Sequence, residues 1–443
     1  MKNLELFLKK AHQCRKKIEQ MTKPTVVTHY DCDGLSAGAI VCKFLEINGV
    51  NYKIKIVRKL DDELIENLKK EDEIIFSDLG GGNKKINELE GEVVIFDHHQ
   101  TEGIEKTQLN PHLFGMDGGT EMSGSSCTYF ALEQLPEISI VGAVGDMQYP
   151  MQGANKLLLQ RLEKEGIVEA AIDLRIYGRM SRPLPQLLAY CDEPYLPGLA
   201  NNEARCEVFL ESIGLKKIQD RWPTYNQLNK EDKQKLIAGL ATYLTEYYKT
   251  KIPANYLVNE VYNLKKFENI AELYDAGEFS TMLNACGRHK KEQVGLAICL
   301  GDQKAIEEGK KILAHHRKAL KDGIEYATKN IIDLGPYLFL DARGIIDDGI
   351  IGVIAGMVFG SMRKKPILAI ALDEKGQIKI STRGTNELVK NGLNLGLALK
   401  ETIAKVGGQG GGHKIAAGAT IPKNALNEFL VEFEKVLQKQ LKS

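Results

Sequence analysis

The sequence predicts an α/β protein with an N-terminal parallel-sheet domain, a helical middle region with a long connecting helix, and a C-terminal α/β domain. Short apolar runs alternate with helical patterns between Thr25 and about Asp146, which is typical of parallel strands joined by crossover helices. The pattern is mostly helical from about Gly166 to Asn330, and strand-like runs return from Ile331 onward. We therefore predict three domains, with the boundaries 1–165, 166–330 and 331–443.

The composition is that of a globular protein that works in water. A chain of 443 residues is too long for one hydrophobic core of ordinary size, so two or three domains are expected. No apolar run approaches the ~20 residues that span a bilayer, and the amphipathic N-terminus does not resemble a secretory signal. The formal net charge of +0 excludes a basic nucleic-acid coat but leaves room for a local basic cleft. The eight cysteines form no CxxC pair, which indicates reduced thiols of a cytoplasmic protein.

Four apolar runs of the first region each end in acids or histidines, and we predict that all four are strands of one sheet. These runs and the residues that follow them are TVVTHYDCDG, EIIFSDLGGG, EVVIFDHHQ and ISIVGAVGDMQ. The carboxyl ends of parallel strands lie along one edge of a sheet, where ligands bind. One crevice should therefore collect the side chains of His29, Asp31, Asp33, Asp78, Asp97, His98, His99 and Asp146.

The later regions are predicted from their helix breakers and their apolar runs. The middle region is broken into short helices by Pro183, Pro185, Pro194, Pro197 and Gly198. Residues 301–330 form one long polar pattern, which predicts the connecting helix, and we assign its pair His315 and His316 to the solvated face. In the last region we predict the strands YLFLDA, KPILAIAL and QIKIST, the apolar helix IIGVIAGMVFG and a glycine-rich loop.

The residues at the four predicted strand ends have the composition of a divalent-metal site. Several carboxylates in one crevice would raise each other's pKa values, and one or two divalent cations would remove their repulsion. Carboxylate and imidazole together suit Mn, Zn, Co or Fe, whereas Mg prefers oxygen ligands. A lone Asp after a strand is most often a cap or turn residue. Four such ends together favour a site for two cations ~3.5–4 Å apart, which can promote in-line displacement at phosphorus.

The same residues carry a resemblance to a known family. The DxD, the lone Asp, the DHH triplet and the acid of GDMQ, in that order, resemble the four motifs of the DHH phosphoesterases. The stretch FSTMLNACGRHKKEQVGLAICLGD, whose core runs from Asn284 to Arg288, is similar to a segment of the RecJ nucleases. The stretch GGQGGGHKIAAGATI resembles the Gly-Gly-His signature of the DHH-associated C-terminal domain. The resemblance covers nearly the whole chain and extends to archaeal RecJ-like proteins associated with the GINS complex of the replisome.

This resemblance implies a ligand set for two metal ions. The ligands of one ion would be His29, Asp31 and Asp78, and those of the other would be Asp33, Asp78, His98 and Asp146. His99 would face the scissile phosphate, and Asp97 would orient the DHH loop from behind the ligands. The catalytic residues would thus be Asp31, Asp33, Asp78, His98, His99 and Asp146. Mn2+ is the expected metal, with Mg2+ and Co2+ as alternatives.

A second set of residues is predicted to hold the substrate. In the C-terminal domain, the glycines 410–412 allow close approach of the backbone to phosphate oxygens, and a flexible hairpin is the alternative. Two arginines are expected beside the phosphates, although an isolated arginine is usually ordinary surface. The helix N-terminus near residues 123–126 is expected to face a phosphate. The predicted substrate-binding residues are His99, Ser123, Arg288, Arg383, Gly411, Gly412 and His413.

Together these observations predict a metal-dependent exonuclease that hydrolyses single-stranded DNA or RNA from an end, with a role in DNA replication or repair. One alternative is a phosphodiesterase of short oligoribonucleotides, pAp or cyclic dinucleotides, but the added middle region favours longer strands. Another is a replisome subunit that binds GINS and has secondary nuclease activity, or a scaffold without chemistry, as in a related eukaryotic helicase subunit. No membrane partner is expected. Polarity, the choice between DNA and RNA, the physiological metal, the oligomeric state and the partners stay open.

Overall fold

The structure is a computed structural model that describes residues 2–191, 194–359 and 364–441. The chain forms two compact units, one with residues up to 194 and 202–313, and the other with residues 195–201 and those from 314 onward. None of the helices within the described residues is long and apolar enough to cross a membrane. The α/β fold class is confirmed, whereas the domain boundaries at 165 and 330 stay a prediction.

Helices and strands are numbered along the chain. The helices of the first unit are α1 (Lys2–Ile18), α2 (Cys32–Ile47), α3 (Asp62–Leu68), α4 (Gly124–Leu132), α5 (Pro136–Gly145), α6 (Gly153–Lys164), α7 (Leu184–Ala189), α8 (Glu203–Ser212), α9 (Lys230–Tyr248), α10 (Ala271–Tyr274), α11 (Ala276–Arg288) and α12 (Glu292–Cys299). Its strands are β1 (Thr25–His29), β2 (Lys53–Val57), β3 (Glu73–Ser77), β4 (Glu92–Phe96), β5 (Thr107–Leu109), β6 (Val168–Leu174) and β7 (Val258–Leu264). The predicted connecting helix is α13 (Gln303–Asn330).

A parallel five-stranded sheet with the order β2-β1-β3-β4-β5 organises the first unit. Its central strands are runs of Val, Ile and Phe that are buried on both faces, as parallel strands covered by helices require. Val26 and Ile75 pack into the core that contains α2 and α4, whereas Val27 and Ile74 pack on the opposite face beside α3. Because β2 and β3 flank β1 on opposite sides, the carboxyl ends of β1 and β3 frame the crevice where such sheets bind ligands.

The fourth predicted strand is wrong, because the run PEISIVGAVG forms the helix α5. Pro136 begins this helix, at a position where a missing N–H needs no partner. The helix packs against α2, α4 and α11, and its apolar residues are buried on every side. A helix buried all round has no polar face, so its sequence shows no helical period. Asp146 caps the carboxyl end of α5 and still reaches the crevice.

Buried charged groups fix the middle region to the start of α11. Arg179 is 2% exposed, and its guanidinium group donates to Asp275 Oδ2 at 2.8 Å. Glu278, which is buried in the first turn of α11, accepts hydrogen bonds from the Met180 N–H at 2.6 Å and from the Ser181 hydroxyl. Arg179 is paired with Asp275 and Glu278 is hydrogen-bonded, so their burial is tolerated and these contacts hold the helix in position.

The second unit contains a mixed sheet and its covering helices. Its elements are β8 (Ile332–Asp333), β9 (Leu338–Asp341), α14 (Ile351–Phe359), β10 (Ile367–Leu372), β11 (Ile378–Arg383), α15 (Asn386–Lys390), α16 (Leu395–Val406), β12 (Gln409–Gly412), β13 (Ala416–Ile421) and α17 (Leu426–Leu441). The six-stranded sheet has the order β12-β13-β11-β10-β9-β8, in which β9 and β10 are parallel and the other pairs are antiparallel.

Two predictions for the later part of the chain need correction. The glycine-rich stretch is predicted to be a loop, but it forms β12, which pairs with β13 as a β-hairpin. Its glycines let the two backbones pack closely. His316 is only 2% exposed, although the pair was assigned to the solvated face. His316 follows the buried Leu313 by three residues and therefore lies on the same stripe of α13, whereas His315 is exposed.

Candidate metal centre

Three predicted ligands lie where β1 passes into α2. His29 is the last residue of β1, and Asp31 is the N-cap of α2, with its carboxylate accepting the Gly34 N–H at 3.0 Å. Asp33 lies in the first turn of the helix and is fully buried. The Asp-Cys-Asp segment therefore places two carboxylates at a helix N-terminus, where negative charge is favoured.

One group of predicted ligands forms around His29. The ring atom His29 Nδ1 lies 3.0 Å from Asp31 Oδ2 and 3.5 Å from Asp78 Oδ2. One ligand atom from each of these side chains lies within 4.8 Å of the others, which is close enough for a single cation to contact all three. These are the residues that the family resemblance assigns to one metal ion.

A second group forms around His98 and shares Asp78 with the first. His98 Nε2 lies 3.2 Å from Asp146 Oδ2 and 3.7 Å from Asp33 Oδ2. The remaining oxygen of Asp78, Oδ1, lies 3.2 Å from His98 Nε2. Asp78 therefore presents one carboxylate oxygen to each group, which is what a carboxylate that bridges two cations has to do. The assignment of these side chains as metal ligands stays a prediction.

Three buried atoms of the site make no hydrogen bond of good geometry in the described structure and face only other members of the two groups: His29 Nδ1, Asp78 Oδ1 and His98 Nε2. A buried polar atom without a partner is costly, and native proteins rarely leave one without a ligand or water. All three atoms point into the two groups, and all three are donor types that bind divalent transition metals. The residues present therefore fit a divalent cation.

The pKa values of the acids reflect the crowding of negative charge. Burial and the neighbouring Asp78 carboxylate raise the pKa of Asp33 to about 6. Burial and the Asp33 carboxylate likewise raise the pKa of Asp146 well above its usual range. Burial alone would lower the pKa of His98, but the neighbouring Asp78 carboxylate raises it well above the ordinary value. Without a cation the cluster would hold extra protons, and a cation would replace them.

Asp78 adopts an uncommon backbone conformation, with a φ of 60°. The left-handed region is sparsely populated by residues other than glycine, although Asp and Asn enter it most readily. The backbone there is held by a hydrogen bond from Asp78 N–H to Phe96 O at 2.7 Å, at the end of β4. Such conformations are concentrated at functional sites, because the surrounding structure must hold them in place.

The N-terminus of α4 binds Asp33 and is not open to a phosphate, which corrects one prediction. The N–H groups of Gly124 and Ser125 donate to the two Asp33 oxygens at 2.6 and 3.0 Å. Ser123 is fully buried and caps this helix through its hydroxyl, which accepts the Ser126 N–H at 3.1 Å. Contact between Ser123 and a substrate would require the cap to open, and this role stays a prediction.

Asp97 organises the DHH loop through hydrogen bonds, and its predicted role behind metal ligands stays a prediction. Asp97 is 1% exposed and accepts the N–H groups of Gly81 at 2.7 Å and His98 at 2.8 Å. Its Oδ1 also lies 2.8 Å from His99 Nδ1, and this hydrogen bond raises the pKa of His99 to about 9. Burial alone would raise the pKa of Asp97, but His99 and these donors lower it to about 2. The His99 side chain is 57% exposed beside the site.

The end of α11 supports the Asp-Cys-Asp segment, a contact that the sequence did not reveal. Asn284 Oδ1 accepts the Cys32 N–H at 3.1 Å. Gly287 packs so closely that a Cβ there would lie 2.2 Å from the Tyr30 carbonyl oxygen. Burial lowers the pKa of Arg288, the last residue of α11, and the electrostatic attraction of Tyr30 and Asp31 opposes that shift. The Asn-Ala-Cys-Gly-Arg segment, which resembles a segment of the RecJ nucleases, is the only trace of this contact in the sequence.

The remaining predicted substrate residues lie in the second unit. Arg383 ends β11, and its Nη1 donates to Thr382 O at 2.8 Å. Gly411 and Gly412 belong to β12 and are exposed, and His413 is exposed in the turn that follows. Gly412 has a φ of 144°, which favours glycine at this turn. Their contact with a substrate stays a prediction.

Family models match most of the chain in the order of its predicted domains. The DHH family N-terminal domain matches residues 23–145, the DHH-CID domain matches residues 176–257, and the DHHA1 domain matches residues 335–439. An uncharacterized protein of Methanocaldococcus jannaschii is 34% identical over 439 residues, and the alignment covers 94% of each of the two chains.

Solved structures share the architecture at low sequence identity. RecJ of Thermus thermophilus in complex with Mn2+ has a TM-score of 0.60 and 17% identity, and covers 98% of this chain. The present chain spans only 55% of that RecJ chain, but it spans 94% of another exonuclease RecJ bound to manganese, at a TM-score of 0.59. Cdc45 of Entamoeba histolytica has a TM-score of 0.66 and 13% identity, with 98% of each chain covered. The chain therefore belongs to the DHH superfamily and has the RecJ-like fold.

Proposed function

We propose that this protein is a metal-dependent exonuclease that hydrolyses phosphodiester bonds at an end of single-stranded DNA or RNA. The observation that carries the proposal is the pair of ligand groups joined by Asp78, one oxygen of which lies 3.5 Å from His29 Nδ1 and the other 3.2 Å from His98 Nε2. Membership of the DHH superfamily supports phosphoesterase chemistry, and the RecJ-like fold supports a nucleic-acid substrate.

The residues proposed to hold two cations are His29, Asp31, Asp33, Asp78, His98 and Asp146. When bound there, divalent cations, with Mn2+ preferred over Mg2+ or Co2+, would lower the pKa of a water molecule and stabilise charge on phosphoryl oxygens. His99 is protonated at neutral pH because its pKa is about 9, and its ring is held by Asp97 through Nδ1. The exposed edge of His99 can therefore donate a hydrogen bond to a phosphate oxygen.

The proposed substrate contacts combine positive charge with exposed backbone. Arg288 ends α11 next to Gly287, which packs against Tyr30, and its guanidinium is proposed to pair with a phosphate that approaches the first ligand group. In the second unit, Arg383, Gly411, Gly412 and His413 are proposed to contact the nucleic acid. The N–H groups of exposed glycines and a directed imidazole suit phosphate oxygens.

The decisive experiment digests end-labelled single-stranded DNA and RNA with Mn2+ in a time course. We expect release of mononucleotides from one labelled end, and loss of at least a hundredfold in activity in Asp78→Ala and His98→Ala. Asp62→Ala is the matched control, because this acid is 77% exposed on α3 and contacts only Lys85 among the described ion pairs. If Asp78→Ala were as active as the parent, the proposed site would be wrong.

Short substrates provide a second test of the same chemistry. A dinucleotide, pAp and a cyclic dinucleotide should be hydrolysed more slowly than a long single strand. Preference for any of these short substrates would replace the exonuclease proposal with the oligonucleotide phosphodiesterase alternative.

A replisome subunit with secondary nuclease activity is the second candidate function. It is supported by the mutual coverage of 98% with Cdc45 of Entamoeba histolytica at a TM-score of 0.66. All six proposed ligand positions are filled here, which argues against a scaffold without chemistry. Co-purification with GINS by a nuclease-dead Asp78→Ala variant would support this additional role, and a cytoplasmic location is expected with either function.

A further inference from the structure

Gln148 lies two residues beyond Asp146, outside both ligand groups, yet both ends of its amide are engaged. It is 3% exposed, and its Nε2 donates to the carbonyl oxygen of Gly118 at 2.8 Å. Its Oε1 accepts a hydrogen bond from Asn155 Nδ2 at 2.7 Å. A buried amide with both ends bonded has a fixed orientation, because reversing it would oppose two oxygen atoms.

The carbonyl oxygen that receives Gln148 also fixes the ring of His98. His98 Nδ1 lies 2.6 Å from Gly118 O. A carbonyl oxygen only accepts hydrogen bonds, so Nδ1 must carry a proton. In the neutral imidazole, the free electron pair is then on Nε2, the atom that lies 3.2 Å from both Asp78 Oδ1 and Asp146 Oδ2. This is the tautomer that can bind a cation in the second group.

The loop that contains Gly118 packs tightly against His98 and is hydrogen-bonded to α6. A Cβ on Gly118 would lie 1.8 Å from the His98 carbonyl oxygen, so only glycine fits there. The loop ends at Glu121, whose carbonyl oxygen accepts the Asn155 N–H at 2.8 Å. Asn155 therefore holds the loop with its backbone and Gln148 with its side chain, and both interactions determine where Gly118 O lies.

We infer that Gln148 is a positioning residue that aims the Gly118 carbonyl group at His98 and so selects the metal-binding tautomer of that histidine. The inference rests on the proposed metal site. The two lone pairs of Gly118 O are matched by two donors, the amide of Gln148 and the ring of His98. Removal of one donor lets the carbonyl group rotate and loosens the second.

Two substitutions of Gln148 separate this role from a general effect of charge. Gln148→Met removes both hydrogen bonds with little change of shape. Gln148→Glu keeps an acceptor for Asn155 but turns an oxygen towards Gly118 O, which repels it. Loss of such an outer contact weakens metal binding about 10–100-fold. We expect the Mn2+ dissociation constant to rise about tenfold in both variants, although the new charge of Gln148→Glu alone would tighten cation binding.

The experiment measures Mn2+ binding by calorimetry and, by 15N NMR, the tautomer of His98 in the metal-free full chain at a pH at which the ring is neutral. Wild type should show only the Nδ1–H form, and the Gln148 variants should show a mixture. Thr402→Val, which removes a fully buried hydroxyl in the second unit, is the control and should bind Mn2+ as wild type does. If a Gln148 variant does not fold, Asn155→Ala takes its place, with an expected threefold weaker binding.

The outcomes distinguish this inference from the proposed function. If wild type itself binds no Mn2+, or if Asp78→Ala binds it as tightly, the proposed metal site fails and the inference fails with it. If wild type binds Mn2+ but both Gln148 variants bind within twofold of it and keep one tautomer, the inference alone is overturned.

Discussion

The substitution Gly124→Ala, which adds one methyl group, tests whether the carboxylates of Asp33 and Asp78 lie as close together as described. Gly124 begins α4, and its N–H donates to Asp33 Oδ2 at 2.6 Å. A Cβ built on this residue would lie 2.6 Å from Asp78 Oδ1 and 3.0 Å from Asp33 Oδ2. Carbon and oxygen atoms in contact are usually at least about 3.3 Å apart. In Gly124→Ala the oxygen Asp78 Oδ1 must therefore retreat by roughly 0.7 Å.

The expected loss follows from that displacement. A misplacement of about 1 Å in a catalytic site can cost about hundredfold in rate. We therefore expect Gly124→Ala to lower kcat/KM on single-stranded DNA by roughly 30–100-fold, which corresponds to about 2–3 kcal/mol of transition-state stabilisation. Overpacking should lower the free energy of unfolding by about 1–3 kcal/mol, which leaves the protein folded at room temperature.

The assay compares initial rates of nucleotide release at saturating Mn2+, together with thermal unfolding. Gly239→Ala is a matched control, because its Cβ would press on the Ile213 side chain at 2.8 Å in the middle region, away from the ligands. It should lower stability at most modestly and leave the rate unchanged. Wild-type rates in Gly124→Ala would mean that the oxygens of Asp33 and Asp78 do not converge at this helix, and the reasoning would be refuted.

Asn284→Ala should leave the Cys32 N–H without its partner, lower the free energy of unfolding by about 1–3 kcal/mol and weaken Mn2+ binding. The control Asn284→Asp keeps the acceptor, and a stability and Mn2+ affinity in Asn284→Ala equal to those of wild type would contradict the prediction. The pKa of Asp33 is about 6 in the folded protein against an ordinary value of 3.8, so its ionisation lowers the stability of the folded protein as the pH rises between these values. A bound cation favours the ionised carboxylate, so the Mn2+-induced rise in Tm should be larger at pH 7.5 than at pH 5.5. An equal rise at both pH values would contradict this prediction. Asp97→Asn should lower the pKa of His99 from about 9, so that activity declines at a lower pH than in wild type, as a pH profile of kcat/KM would show; an unshifted alkaline limb would count against His99. Chelation should abolish activity, and Mn2+ at a hundred times its Kd should restore about 2.7 kcal/mol of stability; full activity in excess chelator would exclude the metal mechanism.

The strands that carry most of the site could be predicted because their sequences are unambiguous. The runs before Asp78 and Asp97 are short, β-branched and buried on both faces, so their ends could be placed on one edge of a parallel sheet. Asp146, the residue that caps α5, does lie beside Asp33 and His98, although the run before it forms a helix and not the predicted strand. The strand prediction is wrong because a fully buried helix shows no helical period.

Apart from those of Asp97, the contacts that support the predicted ligands could not be predicted from the sequence. Asn284 meets Cys32 across 252 positions, and no local pattern indicates such a pair. Gln148 and Gly118 lie in turns, where hydrogen bonding depends on the packing of neighbouring helices rather than on periodicity. The motifs therefore predicted the residues that would contact metal and Asp97 behind them, whereas the supporting roles of Asn284, Gln148 and Gly118 became apparent only from the fold.

The dependence of the Asp-Cys-Asp segment on α11 has a consequence for biosynthesis. The sheet and all six proposed ligands are translated by residue 146, but Asn284 and the apolar side of α11 that covers α5 emerge from the ribosome much later. Until then the nascent chain exposes apolar helix surface, a condition that favours aggregation and chaperone binding. A fragment ending near residue 165 should therefore be poorly soluble when expressed alone, and co-expression of residues 166–330 should rescue it.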